Sequence, residues 1–168
     1  MKFRDVIWRS MTGFDLASVE AIAAQVHPGF YESPEVLAEK HALYRDGAYL
    51  LEVSDRPAGY VLSHPWTFGS APALNARIER LPADTDTFYI HDLAILPVAR
   101  RVGAAGFIIA ALEKHARARG FPTMTLIAVN NSRGFWERHG FGVVELPALA
   151  DKLMTYEPDA RLMAKPLT

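Results

Sequence analysis

Not one of the 168 residues is cysteine. That absence excludes disulfides, a thiolate nucleophile and cysteine-ligated zinc. Neither sign of charge is in excess: 18 Lys and Arg stand against 19 Asp and Glu, for a net charge of −1. A nucleic-acid footprint or an anionic-membrane surface needs a basic surplus, so neither partner is expected, while a small basic pocket stays open. No apolar run approaches the length of a membrane span, and MKFRDVIWRS carries scattered charges in place of an apolar leader, so a cytoplasmic protein is expected. Repeats, low-complexity tracts and linkers are also missing, which leaves one domain over residues 1–168, long enough to bury a sizeable core. There is no His-Glu-x-x-His pair, no Gly-x-Ser-x-Gly elbow and no paired-carboxylate site, and no metal is expected.

What remains is ordinary globular composition, half of it hydrophobic, with clear periodicities. FRDVIWR (3–9) reads as a strand. DLASVEAIAAQVH (15–27) has apolar residues at helical spacing with Asp15 in the cap region, and PEVLAEKHALYR (34–45) reads as a helix starting at Pro34. GAYLLEVSDRPAGYVLSH (47–64) reads as a hairpin around DRPAG. Residues 65–86 hold three prolines and a candidate short helix at 73–80; so long a connection is often functional. TFYIHDLAILP (87–97) is a strand ended by Pro97. Residues 103–119 are a helix with Ala105, Ile108, Ile109, Leu112 and Ala116 on one stripe, closed by Gly120. PTMTLIAV (122–129) is a buried strand, SRGFWERH (132–139) a short helix, FGVVEL (141–146) a strand and RLMAKPL (161–167) a last edge strand. This order implies an α/β (α+β) domain, a mixed sheet with helices on both faces.

RRVGAAG (100–106) sets two arginines beside residues that offer little but backbone. The first turn of a helix has four unpartnered N–H groups and about half a positive charge, so a phosphate fits there, held also by arginine. Close helix–strand packing with solvated arginines explains the same residues. A P-loop would need Gly-Lys-Ser/Thr at the helix start, and a dinucleotide fold an acidic residue after the next strand, where AVNN stands instead.

Two motifs in order decide more. Arg100-Arg101-Val102-Gly103-Ala104-Ala105 resembles the Arg/Gln-x-x-Gly-x-Gly/Ala motif of the GCN5-related N-acetyltransferases, the GNAT superfamily. NNSRGFWERHGF (130–141) is similar to that family's second signature, an Asn, a small residue and an aromatic pair ending in Gly-Phe. The resemblance spans the chain in element order and residues 89–145 in motif detail. It implies a sheet of about seven strands splayed between the fourth and fifth, with acetyl-CoA in the gap as co-substrate. It further implies that the amides of Val102, Gly103, Ala104 and Ala105, with Arg100, Arg101 and Gly106, hold the pyrophosphate. Leu93 and Ile95 would pair through their backbone with the acetyl carbonyl and pantetheine, with Asn130, Asn131, Ser132 and Phe135 on the far side. A homodimer through the C-terminal strand is a family expectation.

Trp136 stands where many members carry the tyrosine that protonates the departing thiolate. An indole cannot give up its proton at useful pH. A thiol of pKa near 8.5 leaves as thiolate at a cost of about 2 kcal/mol near pH 7, whereas deprotonating an alkylamine costs roughly 4–5 kcal/mol. A base therefore matters more than an acid, and Trp136 reads as a packing wall beside the pantetheine.

For the base, strand alternation puts Tyr89, His91 and Leu93 on one face and Ile90, Asp92 and Ala94 on the other, so His91 and Asp92 would not share a metal. In some family members a histidine in this strand deprotonates the amine through water, and an imidazole pKa near 6.5 suits that task; a satisfied, partly buried histidine is the other reading of His91. Asp92 is a weaker candidate base, or a brace for the strand or for a cationic acceptor. Tyr89 would orient substrate or act as the acid. The remaining histidines, His27, His41, His64, His115 and His139, read as structural or solvated. Phe30, Tyr31, Trp66 and Phe68 would make an aromatic wall for the acceptor, with Glu32 or Glu35 attracting its ammonium. The acceptor would be a small primary amine, with a peptide N-terminus as the other possibility. A non-catalytic acyl-CoA-binding module and a different phosphate ligand, such as a nucleotide, are the competing readings.

Overall fold

The computed structural model describes residues 5–167. Its strands are β1 (Val6–Ser10), β2 (Ala48–Val53), β3 (Arg56–Trp66), β4 (Thr87–Ile95), β5 (Thr123–Ala128), β6 (Gly142–Val143) and β7 (Arg161–Pro166). Its helices are α1 (Leu16–Val26), α2 (Pro34–Leu43), α3 (Ala104–Ala118), α4 (Arg133–Arg138) and α5 (Ala150–Met154). Phe3 and Arg4, included in the expected first strand, lie outside the described residues. The strands form one sheet in the order β1-β2-β3-β4-β5-β7-β6, parallel at β4–β5 and antiparallel elsewhere. No helix among the described residues is long and apolar enough to cross a membrane.

Helices cover both faces because each presents one apolar stripe. Ile108, Ile109, Leu112 and Ala116 of α3 pack on Val61, Phe88, Ile90, Met124 and Leu126. Ala104, rather than the expected Ala105, is the buried alanine at the start of that helix; Ala105 is half-buried. On the opposite face Val19, Ile22 and Leu37 of α1 and α2 pack on Leu50, Tyr60, Leu62 and Ala94. Ser33 caps α2, its Oγ accepting the Val36 N–H at 3.3 Å, with Pro34 at the first helical position.

Four local expectations need correction. The β2–β3 turn is Ser54-Asp55, both at positive φ as a two-residue primed turn requires, and Arg56 to Gly59 belong to β3. Residues 73–80 form no helix; the N–H groups of Ile78 and Glu79 bond to the Glu39 carboxylate, and that of Asn75 to Glu32. β7 is not the outermost strand: it pairs β5 along its whole length and carries the two-residue β6 outside it, opposite Met163 and Ala164. The short helix α5 has no counterpart in the sequence reading.

Two irregularities build the cleft. β4 pairs β5 only from Phe88–Ile90 to Met124–Leu126, then runs on to Ile95 with its β5-facing edge free. This is the splay between the fourth and fifth strands. A bulge also leaves His91 without a partner: Ser63 faces Ile90, and Leu62 faces Asp92. The extra residue breaks strict alternation. Leu93 therefore packs with Ile90 on the α3 face, and Ala94 lies on the α1 face with Tyr60 and Leu62. Tyr89 and Leu93, expected on one face, lie on opposite ones.

Candidate active site

Where β4 and β5 part, a cleft of about 740 Å³ opens, with two dissimilar ends. One end is the turn into α3. Arg101 at φ +69° and Gly103 at φ +78° fold that turn, and the N–H of Phe107 is the first to be taken up, by Gly103 O at 3.1 Å. Among the described residues the amides from Arg101 to Gly106 have no acceptor. A Cβ built on Gly103 meets nothing within 4 Å, so the space over these donors is open. Such a run of free amides at a fifteen-residue helix start, flanked by two arginines, fits the pyrophosphate of coenzyme A. Arg100 folds back, its Nε donating to Ile95 O at 3.0 Å, which fastens the turn to the end of β4.

The cleft is lined by Arg100, Arg101, Gly103, Ala104, Ala105 and Gly106 at this end, by Leu93 and Ile95 on β4, and by Asn130, Asn131, Ser132, Phe135 and Trp136 beyond β5. Val102 is absent from the lining because its side chain points outward, 55% exposed; its amide alone joins the run. Asn130 and Asn131 both take positive φ, which short polar side chains tolerate. Trp136 is buried, edge-on to Phe135 at 4.9 Å and Phe141 at 5.4 Å. It is part of the core and of the cleft wall at once.

The other end is built from side chains. His91 Nε2 lies 2.7 Å from Glu32 Oε1, both about nine-tenths buried. Held this way, Nε2 faces the carboxylate, and Nδ1 is shielded from solvent and has no partner. The wholly buried ammonium of Lys40 lies 3.9 Å from Glu32 Oε2 and donates to Ala76 O at 3.2 Å. Burial opposes the charge on Glu32, but His91 and Lys40 outweigh it and hold the carboxyl below its usual range. Burial lowers Lys40.

A second pair stands beside the first. Asp92 Oδ1 lies 3.1 Å from His27 Nε2, and Asp92 Oδ2 accepts from the Tyr60 hydroxyl. Burial would neutralise both members, yet their mutual attraction lowers Asp92 and raises His27. His64, behind His91 at 6.0 Å between ring centroids, is pushed down to about 3 by burial and by His91, so it stays neutral. Burial pushes the Tyr89 phenol well above its ordinary value, which suits hydrogen-bond donation better than proton release.

Tyr89, His91 and Asp92 thus come together at this end with Phe30. Tyr31, 62% exposed, and Trp66 do not line it; Trp66 packs behind Tyr89 and His64, its Nε1 donating to Ser70 O at 3.1 Å. Glu35 is exposed outside the cleft, and Glu32 is spent on His91 and Lys40, so neither is a free anion for an ammonium. The sequence reading missed His27, Leu74, Arg138, His139 and Tyr156, all of which line the cleft. Tyr156 comes from the segment before β7, its hydroxyl donating to Pro72 O. No group of three or more His, Asp or Glu side chains able to hold a metal occurs among the described residues.

The family model described as the acetyltransferase (GNAT) family matches residues 16–141. No curated protein matches the chain. Among solved structures, Ard1 from Thermoplasma volcanium superposes with a TM-score of 0.73 at 16% identity, over 97% of this chain and 98% of that one. Naa50 from Arabidopsis thaliana, in complex with the bisubstrate analogue CoA-Ac-MVNAL, gives 0.69 at 16%, over 95% and 97%. The loading GNATL domain of CurA from Lyngbya majuscula gives 0.77 at 12%, over 97% and 98%. Such identities establish the fold; the family match covers well over half of the sequence. The chain belongs to the GNAT acetyltransferase family.

Proposed function

We propose that the protein is an acetyl-CoA-dependent N-acetyltransferase that acts on a primary amine, of a small molecule or a peptide, by direct attack in a ternary complex. One observation carries this reading: a single cleft holds an open amide cradle at one end and the His91–Glu32 pair at the other. Acetyl-CoA, when bound, supplies the acetyl group as a thioester. The amides from Val102 to Gly106 and the two arginines hold its phosphates. Leu93 and Ile95, on the stretch of β4 that β5 does not pair, lie against the pantetheine, with Phe135 and Trp136 opposite. His91 is the base for the amine proton, and Glu32, bonded to its Nε2, orients the ring and steadies the charge that forms. Trp136 excludes water and takes no part in proton transfer. The departing thiolate needs no strong acid, because its cost near pH 7 is about 2 kcal/mol. Asp92, committed to His27 and Tyr60, braces the strand.

Trp136 also supports a second reading, an acyl-CoA-binding module without turnover. Against it stands the buried histidine–carboxylate pair at the acceptor end, which acyl-CoA binding alone does not require. Thermal unfolding with acetyl-CoA, CoA, ATP and NADH tests the site. A ligand at ~100 times its Kd stabilises by about 2.7 kcal/mol, roughly 5–10 °C for a domain of this size. Both CoA species are expected to give that shift, and ATP and NADH none. No shift with millimolar CoA would overturn the assignment.

A further inference from the structure

The acceptor end has no negative charge to spare. Glu32 and Asp92 are the only carboxylates that line the cleft among the described residues. All four of their oxygens are engaged. Glu32 Oε1 is held by His91 at 2.7 Å, and Oε2 accepts the Asn75 N–H at 3.3 Å and faces Lys40 at 3.9 Å. Asp92 Oδ1 is held by His27 at 3.1 Å, and Oδ2 by the Tyr60 hydroxyl. Lys40 already supplies a buried cation, and Asp92 biases His27 toward becoming a second.

The surroundings do not change this balance. Glu35 lies outside the cleft. Glu157 and Asp159 line a neighbouring groove together with Arg133 and Arg161, and Glu157 Oε1 is taken by the Asn130 N–H at 2.8 Å. What is left at the acceptor end is apolar: Val26, Phe30, Leu74 and the ring of Tyr156, whose hydroxyl is spent on Pro72 O. A second ammonium brought here loses its water and gains no counter-ion. An apolar group gains by burial.

Building on the N-acetyltransferase reading, we infer that the acceptor is a primary monoamine carrying a bulky, uncharged, apolar group, and that polyamines are rejected. The test compares 2-phenylethylamine and leucinamide with spermidine in wild type and in Leu74→Asp. 2-Phenylethylamine and spermidine both present alkylamines, so the comparison reports the rest of the molecule. Wild type is expected to favour 2-phenylethylamine over spermidine in kcat/KM by on the order of a hundredfold, the range a hydrophobic pocket delivers. Leu74 is half-buried on a loop, so aspartate there leaves the fold intact and adds the missing free carboxylate. That variant is expected to narrow the gap at least tenfold. Equal or better use of spermidine by wild type overturns the inference, and so does an unchanged gap in Leu74→Asp. If no amine is acetylated, the transferase reading falls alone. Calorimetric binding of the same three amines to CoA-loaded protein then decides the preference by the same ratios.

Discussion

The two ends of the cleft are made of different materials. At the start of α3 the working groups are backbone amides from one continuous stretch, left without acceptors and shaped by two residues at positive φ. At the other end they are side chains from α2, β3, β4 and the loop between α1 and α2, and every carboxylate oxygen is already paired. An end with open donors is prepared for an anion whose charge does not vary. An end with closed pairs has its charges arranged for one another and for a proton. The first owes little to titration; the second depends on it.

The largest expected effect separates the ends by chemistry. His91→Ala is expected to lower kcat by roughly a hundredfold to ten-thousandfold, the usual loss for a general base, while the Kd for CoA stays within a factor of two of wild type. Steady-state kinetics with calorimetry checks both halves. A fall in CoA affinity as large as the fall in kcat would mean that the two ends are one unit.

A smaller effect separates them by pH. Asp92 is held below its ordinary value, so its contribution is present above about 3.9 and is lost as pH falls further. His27 is raised, so its share is present below about 6.5 and fades as pH rises through the raised value. Asp92→Asn is expected to cost about 1–3 kcal/mol, or several degrees in Tm, with the largest gap from wild type between about pH 4 and 6.5. A gap of constant size from pH 3 to 9 would show that packing, and not charge, is what Asp92 supplies.

The same division governs what could be read in the sequence. RRVGAAG and the helix after it are local, and residue type alone announces small residues at a helix start, though not the positive φ of Arg101 and Gly103. The element order and the splay followed once that stretch and NNSRGFWERHGF were taken together. His91 was legible as a histidine on a strand, but not its partner: Glu32 lies 59 residues away and meets it only after α1, α2 and β4 have packed. The bulge at His91 has no marker, since neither glycine nor proline announces it, and it moved Leu93 to the face opposite Tyr89. His27 looked like one of several scattered histidines because Asp92 reaches it only through the fold. The place of β7 inside the sheet was equally hidden, because pairing order is a property of the assembled strands and not of RLMAKPL.

The smallest effect tests the backbone end by itself. Gly103→Val adds a side chain where nothing lies within 4 Å, so no clash follows and only conformation is disturbed. A β-branched residue at φ +78° costs on the order of 1–2 kcal/mol, and the turn relieves it by rotating the amides that follow. The Kd for CoA is expected to rise about tenfold, which is 1.4 kcal/mol of lost binding. Acetyl-pantetheine, which has the thioester arm but no pyrophosphate, is expected to bind as before, and kcat at saturating acetyl-CoA to change by less than threefold. If acetyl-pantetheine weakens in step with CoA, the turn shapes the whole cleft and the separation of the two ends fails. If neither weakens, the phosphates rest on the arginines and the open amides serve some other anion.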